Sequence, residues 1–293
     1  MLKVLTYRIS EKEDQMTIND FLHSKGYSSH LIVHLKKTES GITIDGALKY
    51  ITYRLCEGEL LTIRILETTS SENIVPTAMP LDIVYEDDDL LVINKAPDMP
   101  VHPSQGNYSN TLANGLAHYF SLQGRNFTFR CINRLDRDTT GLMILAKNML
   151  SGCILSDMVK SKKIQREYLA IAKGMVPDEG VIEAPIGRLD GSTIERCIDY
   201  EKGDHAVTHY RRIKYGNGHS LVALKLETGR THQIRVHMKH LGYPLPGDFI
   251  YCPDFSTISR QALHSWKLTF FHPLTEELMQ FEVPLPDDMK AIL

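Results

Sequence analysis

No apolar run in the 293 residues approaches the ~20 needed to span a bilayer, so the chain is expected not to enter a membrane. The opening residues, MLKVLTYRIS, have neither the apolar core nor the small-residue cleavage site of a signal peptide. Cysteine is sparse. Cys56, Cys131, Cys153, Cys197 and Cys252 are scattered, odd in number and form no CxxC pair, which argues against a disulfide framework and against a zinc knuckle. HExxH is missing, and so are Walker and dinucleotide-binding motifs, internal repeats and low-complexity tracts. His205 and His209 at i, i+4, and the cluster His232, His237 and His240, have metal-like spacing but no set of carboxylate ligands beside them. His237 and His264 read instead as structural hydrogen-bonders or phosphate contacts. The expectation is therefore a cytoplasmic protein with no metal and no organic cofactor.

What is present is an ordinary globular composition, 42% apolar and 24% charged, long enough for one large core or a modest core plus an accessory domain. The net charge of -3 hides an uneven distribution. Residues 111–175 hold ten Lys/Arg against four Asp/Glu, residues 205–240 seven against one, and residues 1–100 ten against sixteen. A polyanion would meet the two basic blocks in the middle of the chain; the other reading of the same charges is a set of solvated faces.

A first unit ends near residue 68. Thr17 can cap a helix carrying Ile18, Phe21 and Leu22, with Gly26 just past its end. Ser28 or Ser29 can cap a second, with Leu31, Ile32 and Leu35 on one face and Gly41 as its stop. Ile42 and Ile44 lead into an Asp45-Gly46 hairpin turn, and Leu60–Leu66 alternates as a strand. Residues 69–80, polar with two prolines, read as a linker. From residue 81 short strands dominate: Asp82–Tyr85, Leu90–Asn94, the apolar run 142–146, Glu167–Ala172, Val181–Glu183, Ala206–Ile213 and Ser220–Glu227. Irregular strands with few helices predict an antiparallel or mixed sheet in an α+β domain over 81–293.

The chemistry concentrates in three blocks. In CINRLDRDTTGLMILAKN, residues 131–148, Asp136 lies between Arg134 and Arg137, and guanidinium neighbours favour a carboxylate's charged form. Thr139 and Thr140 can order the loop, and Gly141 lets it turn into the buried strand. Alone, Arg-x-Asp-Arg reads first as a structural ion pair. REYLAIAKG, residues 166–174, reads alone as a strand with Tyr168 in the core. In LETGRTHQIRVHMKHLGYPLPGD, residues 226–248, Thr231 can cap a helix with Ile234, Met238 and Leu241 on one face. Arg230 and Arg235 then lie at its first two turns, where backbone N–H groups favour phosphate.

Together the blocks closely resemble the RluA/RluD-type RNA pseudouridine synthases, and matching segments cover nearly all of residues 81–293. NRLDRDTTGLMILAKN is similar to their active-site motif, usually HRLD followed by TSGLLL, with Asn133 in the histidine place and Thr140 in the serine place. The resemblance implies a mixed, mainly antiparallel catalytic core. It also implies a catalytic Asp136, with Tyr168 against the target base and Arg235 paired to the aspartate. Arg134, Arg137, Thr140, Arg230, His232, Gln233 and Ile234 are the substrate-binding positions it suggests. LDIVYEDDDLLVINKAPDMPVHPS, with Lys95-Ala96-Pro97, and RQALHSWKLTFFHPLT resemble further family segments. The first 68 residues resemble the S-four-type RNA-binding domain, named for a ribosomal protein, although only Lys36, Lys37, His30 and His34 stand on the second helix.

The expected activity is isomerisation of uridine to pseudouridine in structured RNA, with ribosomal RNA favoured over transfer RNA, by a monomer. A non-catalytic RNA-binding or ribosome-assembly protein on this fold would lack the aspartate, tyrosine or arginine, and all are present. A glycoside hydrolase would need a second carboxylate, for which Asp138 is the nearest candidate.

Overall fold

The computed structural model describes residues 1–71 and 73–293; Glu72, within the expected linker, lies outside the described residues. The chain begins with a strand, β1 (Leu2–Arg8), then α1 (Ile18–Ser24), α2 (Ser29–Lys37), β2 (Ile42–Ile44), β3 (Ala47–Leu48) and β4 (Leu60–Leu66). The caps follow from local chemistry. Thr17 Oγ1 accepts the Asp20 N–H and Ser28 Oγ accepts the Leu31 N–H, which satisfies donors the first helical turn leaves free. α2 ends at Lys37, with Thr38 as its cap in place of the expected Gly41. Asp45 and Gly46 have φ of 47° and 82°, as a type I′ hairpin turn requires. The four strands lie in the order β1-β4-β2-β3, with Leu2 opposite Leu66 and Arg8 opposite Leu60.

The remainder runs β5 (Ile83–Glu86), β6 (Leu90–Lys95), α3 (Leu112–Leu122), β7 (Thr140–Ala146), α4 (Met149–Lys160), β8 (Gln165–Lys173), β9 (Glu179–Glu183), β10 (Ile186–Arg188) and β11 (Arg196–Ile198). It continues with β12 (Val207–Gly216), β13 (His219–Leu226), α5 (Gln233–His240), β14 (Leu263–Phe271), β15 (Leu278–Glu282) and α6 (Asp287–Lys290). Nine strands form one sheet, β5-β6-β7-β14-β8-β13-β12-β9, with β15 also paired to β14. Every pairing in it is antiparallel except β7 with β14, where Thr140 faces His264 and Gly141 faces Ser265. This is the expected α+β, mainly antiparallel core. All seven residues of β7 are buried, as its apolar run implies.

α3 and α4 lie in stretches whose sequence shows no clear amphipathic period. Leu112, Ala113, Asn114, Gly115, Leu116 and Phe120 of α3 are all buried, so apolar and small residues spread around the helix instead of forming one stripe. α4 also serves the first unit. Leu150 belongs to the core built by Ile18, Phe21, Leu31, Leu35, Leu61 and Ile63, and Ile154 packs against it. Residues 70, 71 and 75 are fastened to the second unit: Ser70 Oγ accepts the Phe127 N–H, Ser71 Oγ the Phe129 N–H, and Val75 O a proton from Asn114 Nδ2.

Gly141 has φ of 108°, and a Cβ there would overlap the backbone of Ser265 on β14. Gly141→Ala should lower stability by about 2 kcal/mol or more, from backbone strain together with overlap. A thermal melt reads this directly, and an unchanged Tm would show that the β7–β14 spacing is not tight.

Candidate active site

The loop from Asn133 to Thr139, leading into β7, brings Asp136 to the mouth of the main sheet. Asn133, in the family's histidine place, is buried and works on the protein: its Oδ1 accepts the Ile144 N–H at 2.8 Å, which staples the loop to β7. Two buried cations grip the loop's backbone. Lys95 Nζ donates to Arg137 O at 2.7 Å and also to Ala96 O and Met99 O. Burial lowers the Lys95 ammonium to about 7, against the opposing pull of Asp138 and Asp136. Arg260 Nη1 donates to Asp138 O at 3.2 Å while the rest of its guanidinium holds Asp288. Gln261 Nε2 reaches Thr139 Oγ1, closing the brace.

Neither sequence neighbour holds Asp136. Arg137, expected at the substrate, turns aside to Asp138, which it meets through Nε and Nη2, and lies 3.7 Å from Asp98. Arg134 is exposed and lines the groove. The partner is Arg235, 99 residues along the chain, whose Nη1 donates to Asp136 Oδ2 at 2.7 Å. Its Nε and Nη2 make a two-pronged pair with Asp248 at 2.6 and 2.8 Å. Burial works against the guanidinium's charge, but the hydrogen bonds of Asp248 and the charge of Asp136 outweigh it, and its pKa rises. Asp136 Oδ1 has no hydrogen-bond partner among the described residues, and the carboxylate remains 27% exposed.

Tyr168, Leu226, Ile234 and Leu263 give the pocket around Asp136 its apolar wall, and Thr139, Arg134, Arg230 and His232 its polar one. Burial pushes the Tyr168 phenol above its ordinary pKa, so it keeps its proton. The expected Thr140 does not line this pocket. Its hydroxyl bonds His264 Nδ1 on the neighbouring strand at 2.8 Å, and Thr139, one residue earlier, takes the place at the pocket. Gln233 borders the pocket but acts as a pin: Oε1 accepts from Arg230 N–H and Thr228 Oγ1, and Nε2 donates to Val207 O and Thr208 Oγ1. That pin also overrides the expected cap. Thr231 is exposed, and α5 starts after His232, whose φ of 58° is left-handed. His237 is a buried tie between Thr208 and Ala184 O.

The pocket opens into a groove of about 1080 Å³ lined by Arg134, Lys160, Lys162, Arg166, Arg230 and His102, among others. A second cleft of about 680 Å³ shares Cys131, Ile132 and Lys160 with it and extends to Ser28 and His30 of the first unit. In each wall one buried guanidinium nitrogen, Arg130 Nη1 and Arg166 Nε, has no hydrogen-bond partner among the described residues. Both positions suit an oxyanion. Asp87, Asp89 and His272 form the one cluster of potential metal ligands among the described residues, but Tyr85, Lys3, Asn148, Ser151 and backbone N–H groups already occupy its carboxylates. Asp138, the candidate second carboxylate of a hydrolase, is spent on Arg137.

One carboxylate at the floor of a basic groove describes an enzyme that works on a polyanion. Comparison with known proteins agrees. Residues 89–240 match the family model described as RNA pseudouridylate synthase. The uncharacterized RNA pseudouridine synthase YjbO of Bacillus subtilis is 42% identical over 279 residues, covering 95% of this chain and 98% of that protein. Ribosomal large subunit pseudouridine synthase D of Nitrosomonas europaea is 36% identical over 261 residues, covering 86% of this chain and 76% of its own. Among solved structures, human RNA pseudouridylate synthase domain containing 1 superposes with a TM-score of 0.61 at 28% identity, over 73% of this chain and 87% of that one. The chain belongs to the RNA pseudouridylate synthase family, isomerases that convert uridine in RNA to pseudouridine.

Lys95, Asp248 and Arg260 were legible only as parts of matching segments, with no role attached, and Tyr251 lies between two of those segments and was not singled out. The signal for Asp248 was the Gly-Asp closing the third block; a buried arginine needs such a counter-charge. Asp248→Ala should cost about 3–5 kcal/mol, because it leaves a buried guanidinium one carboxylate short. Urea unfolding measures it, and a loss under about 1 kcal/mol would mean that Asp136 alone balances Arg235.

Proposed function

We propose that Asp136 is the group that starts the isomerisation and that the substrate is ribosomal RNA, with the flanking strand lying in the basic groove. The observation that carries this is the asymmetry of the carboxylate. Oδ2 is anchored to Arg235 while Oδ1 has no hydrogen-bond partner among the described residues, and Asp136 lines a groove rimmed with cations. Pseudouridine formation breaks the C–N glycosidic bond, turns the base and joins its fifth carbon to the ribose. It needs a fixed carboxylate and a base taken out of its stack. Tyr168 and Ile234 offer the flat and apolar surfaces against which a flipped uracil rests. Arg134 and Arg230, which both line the groove, take phosphates of the flanking strand in this reading.

Ribosomal RNA is favoured by the relatives of Nitrosomonas europaea and Neisseria meningitidis, both called ribosomal large subunit pseudouridine synthase D. Free thiols at all five cysteines go with a cytoplasmic place. The first unit, read as an S-four-like domain over residues 1–68, carries the far end of the cleft. Of its four candidate contacts His30 lines that cleft, whereas His34 bonds Leu66 O.

Two measurements test this. Pseudouridine mapping of total RNA from cells lacking the gene should show lost sites in large-subunit ribosomal RNA. They should return with the wild-type gene and stay absent with Asp136→Ala; retained turnover in that variant would sink the assignment. For the groove, Lys160→Glu with Lys162→Glu should raise KM for RNA about tenfold, leave kcat within about twofold, and flatten the salt dependence of binding. An unchanged KM would move the RNA path elsewhere.

A further inference from the structure

Two side chains approach the anchored oxygen of Asp136. One is Arg235; the other is His232, whose Nε2 stands 3.9 Å from Oδ2, too far for a hydrogen bond but close enough for a charge to act on an N–H dipole. The other ring nitrogen, Nδ1, lies 2.8 Å from the hydroxyl of Tyr251. That hydroxyl already accepts the backbone N–H of Arg196, in β11, at 2.9 Å. We infer that Tyr251 is a positioning residue for the active-site carboxylate: it donates its proton to His232 Nδ1 and so holds the imidazole as the neutral tautomer whose Nε2–H faces Asp136. The inference rests on the reading of Asp136 as the reacting carboxylate.

Three independent features favour that proton arrangement. With one lone pair of the phenol oxygen taken by Arg196, donation to Nδ1 gives the hydroxyl both a donor and an acceptor role and leaves nothing idle. A carboxylate 3.9 Å away attracts an N–H and repels a lone pair, so the same tautomer is preferred at the other end of the ring. The ring is also mostly buried. Burial lowers its pKa, Asp136 and Asp248 oppose this, and Arg235 and Arg196 add to it, so the neutral imidazole prevails. Burial likewise pushes the Tyr251 phenol to about 12, so it has a proton to give.

The backbone supports a role beyond packing. His232 sits in the left-handed region at φ 58°, where a residue with a large side chain costs about 1 kcal/mol and asparagine would fit more easily. The strained geometry turns the ring between Asp136 and Tyr251. Tyr251 belongs to the same short turn as Asp248: its N–H bonds Asp248 Oδ1 at 3.0 Å, and its ring lies 4.9 Å below the Arg235 guanidinium. One turn, residues 248–251, thus sets both neighbours of Oδ2, Arg235 through Asp248 and His232 through Tyr251. Oδ1 is left for the nucleoside.

The test is nitrogen NMR of the full chain with 15N-labelled histidine, in which the His232 signals are assigned by their loss in His232→Gln. At pH 7 the wild type should show the neutral ring protonated at Nε2. Tyr251→Phe, which keeps the aromatic ring under Arg235, should populate the Nδ1-protonated form. In the same variant kcat should fall about tenfold with KM within about twofold. The acid limb of the pH profile should move to higher pH, because the hydroxyl that favours the neutral ring is gone. A wild-type His232 that is protonated at Nδ1 or doubly protonated at pH 7 overturns the proposal even if the variant fails to fold. So does a Tyr251→Phe protein with unchanged tautomer and kcat. The tautomer is read without RNA and without turnover, so its failure is distinct from a failure of the assignment of Asp136.

Discussion

Arg235 is 2% exposed, and its guanidinium would be intolerable there alone. Asp248 and Asp136 together make the burial feasible, and they do so unequally. Asp248 is buried and takes two of the guanidinium's bonds, while its carboxylate accepts two further N–H groups, those of Ile250 and Tyr251, from its own turn. Asp136 takes one bond, its side chain is partly exposed, and its other oxygen has no hydrogen-bond partner among the described residues. A structural ion pair would saturate both carboxylates. This one saturates the buried carboxylate and leaves the second half-used, which suits a group that must react.

The surrounding structure keeps that half-used carboxylate in place from every side. Lys95 and Arg260 hold the carbonyls after Asp136, Asn133 staples the start of the loop to β7, and the parallel contact of β7 with β14 sets where the loop emerges. Each of these groups is buried, and each satisfies backbone acceptors or donors that a loop would otherwise expose to water. A loop fixed this way loses little freedom when substrate arrives, and ordering cost is what a fixed nucleophile or base must avoid. The groove around it is different in kind. Its cations Arg134, Lys160, Lys162 and Arg230 stand in solvent, with Arg166 on β8 half-buried, which gives reach and steering with little geometric precision.

The sequence reading located most strands of both sheets, the Asp45-Gly46 turn and the α+β class, because alternation and turn chemistry are local. It omitted α3 and α4, whose residues are patterned by burial on more than one side, together with β1, β10, β11, β14, β15 and α6, and it misplaced the start of α5. Arg137 and Thr140 look like site residues because they adjoin Asp136 in the chain, yet one turns to Asp138 and the other to His264. Arg235, 99 residues away, is the partner, and only likeness to a family pointed to it.

By itself, then, the sequence determined the family, the reacting carboxylate's candidate, the basic blocks and the local elements. These rest on residue type and short spacing, which survive without coordinates. The tertiary structure alone decided which arginine faces which carboxylate and which oxygen of Asp136 is free. It also decided that His232 lies between Asp136 and Tyr251, and that the first unit shares a core with α4 and a cleft with the groove. Those relations join residues from 13 to more than a hundred positions apart. Electrostatic pairing depends on distance in space and on burial, and neither is encoded in any one stretch of chain.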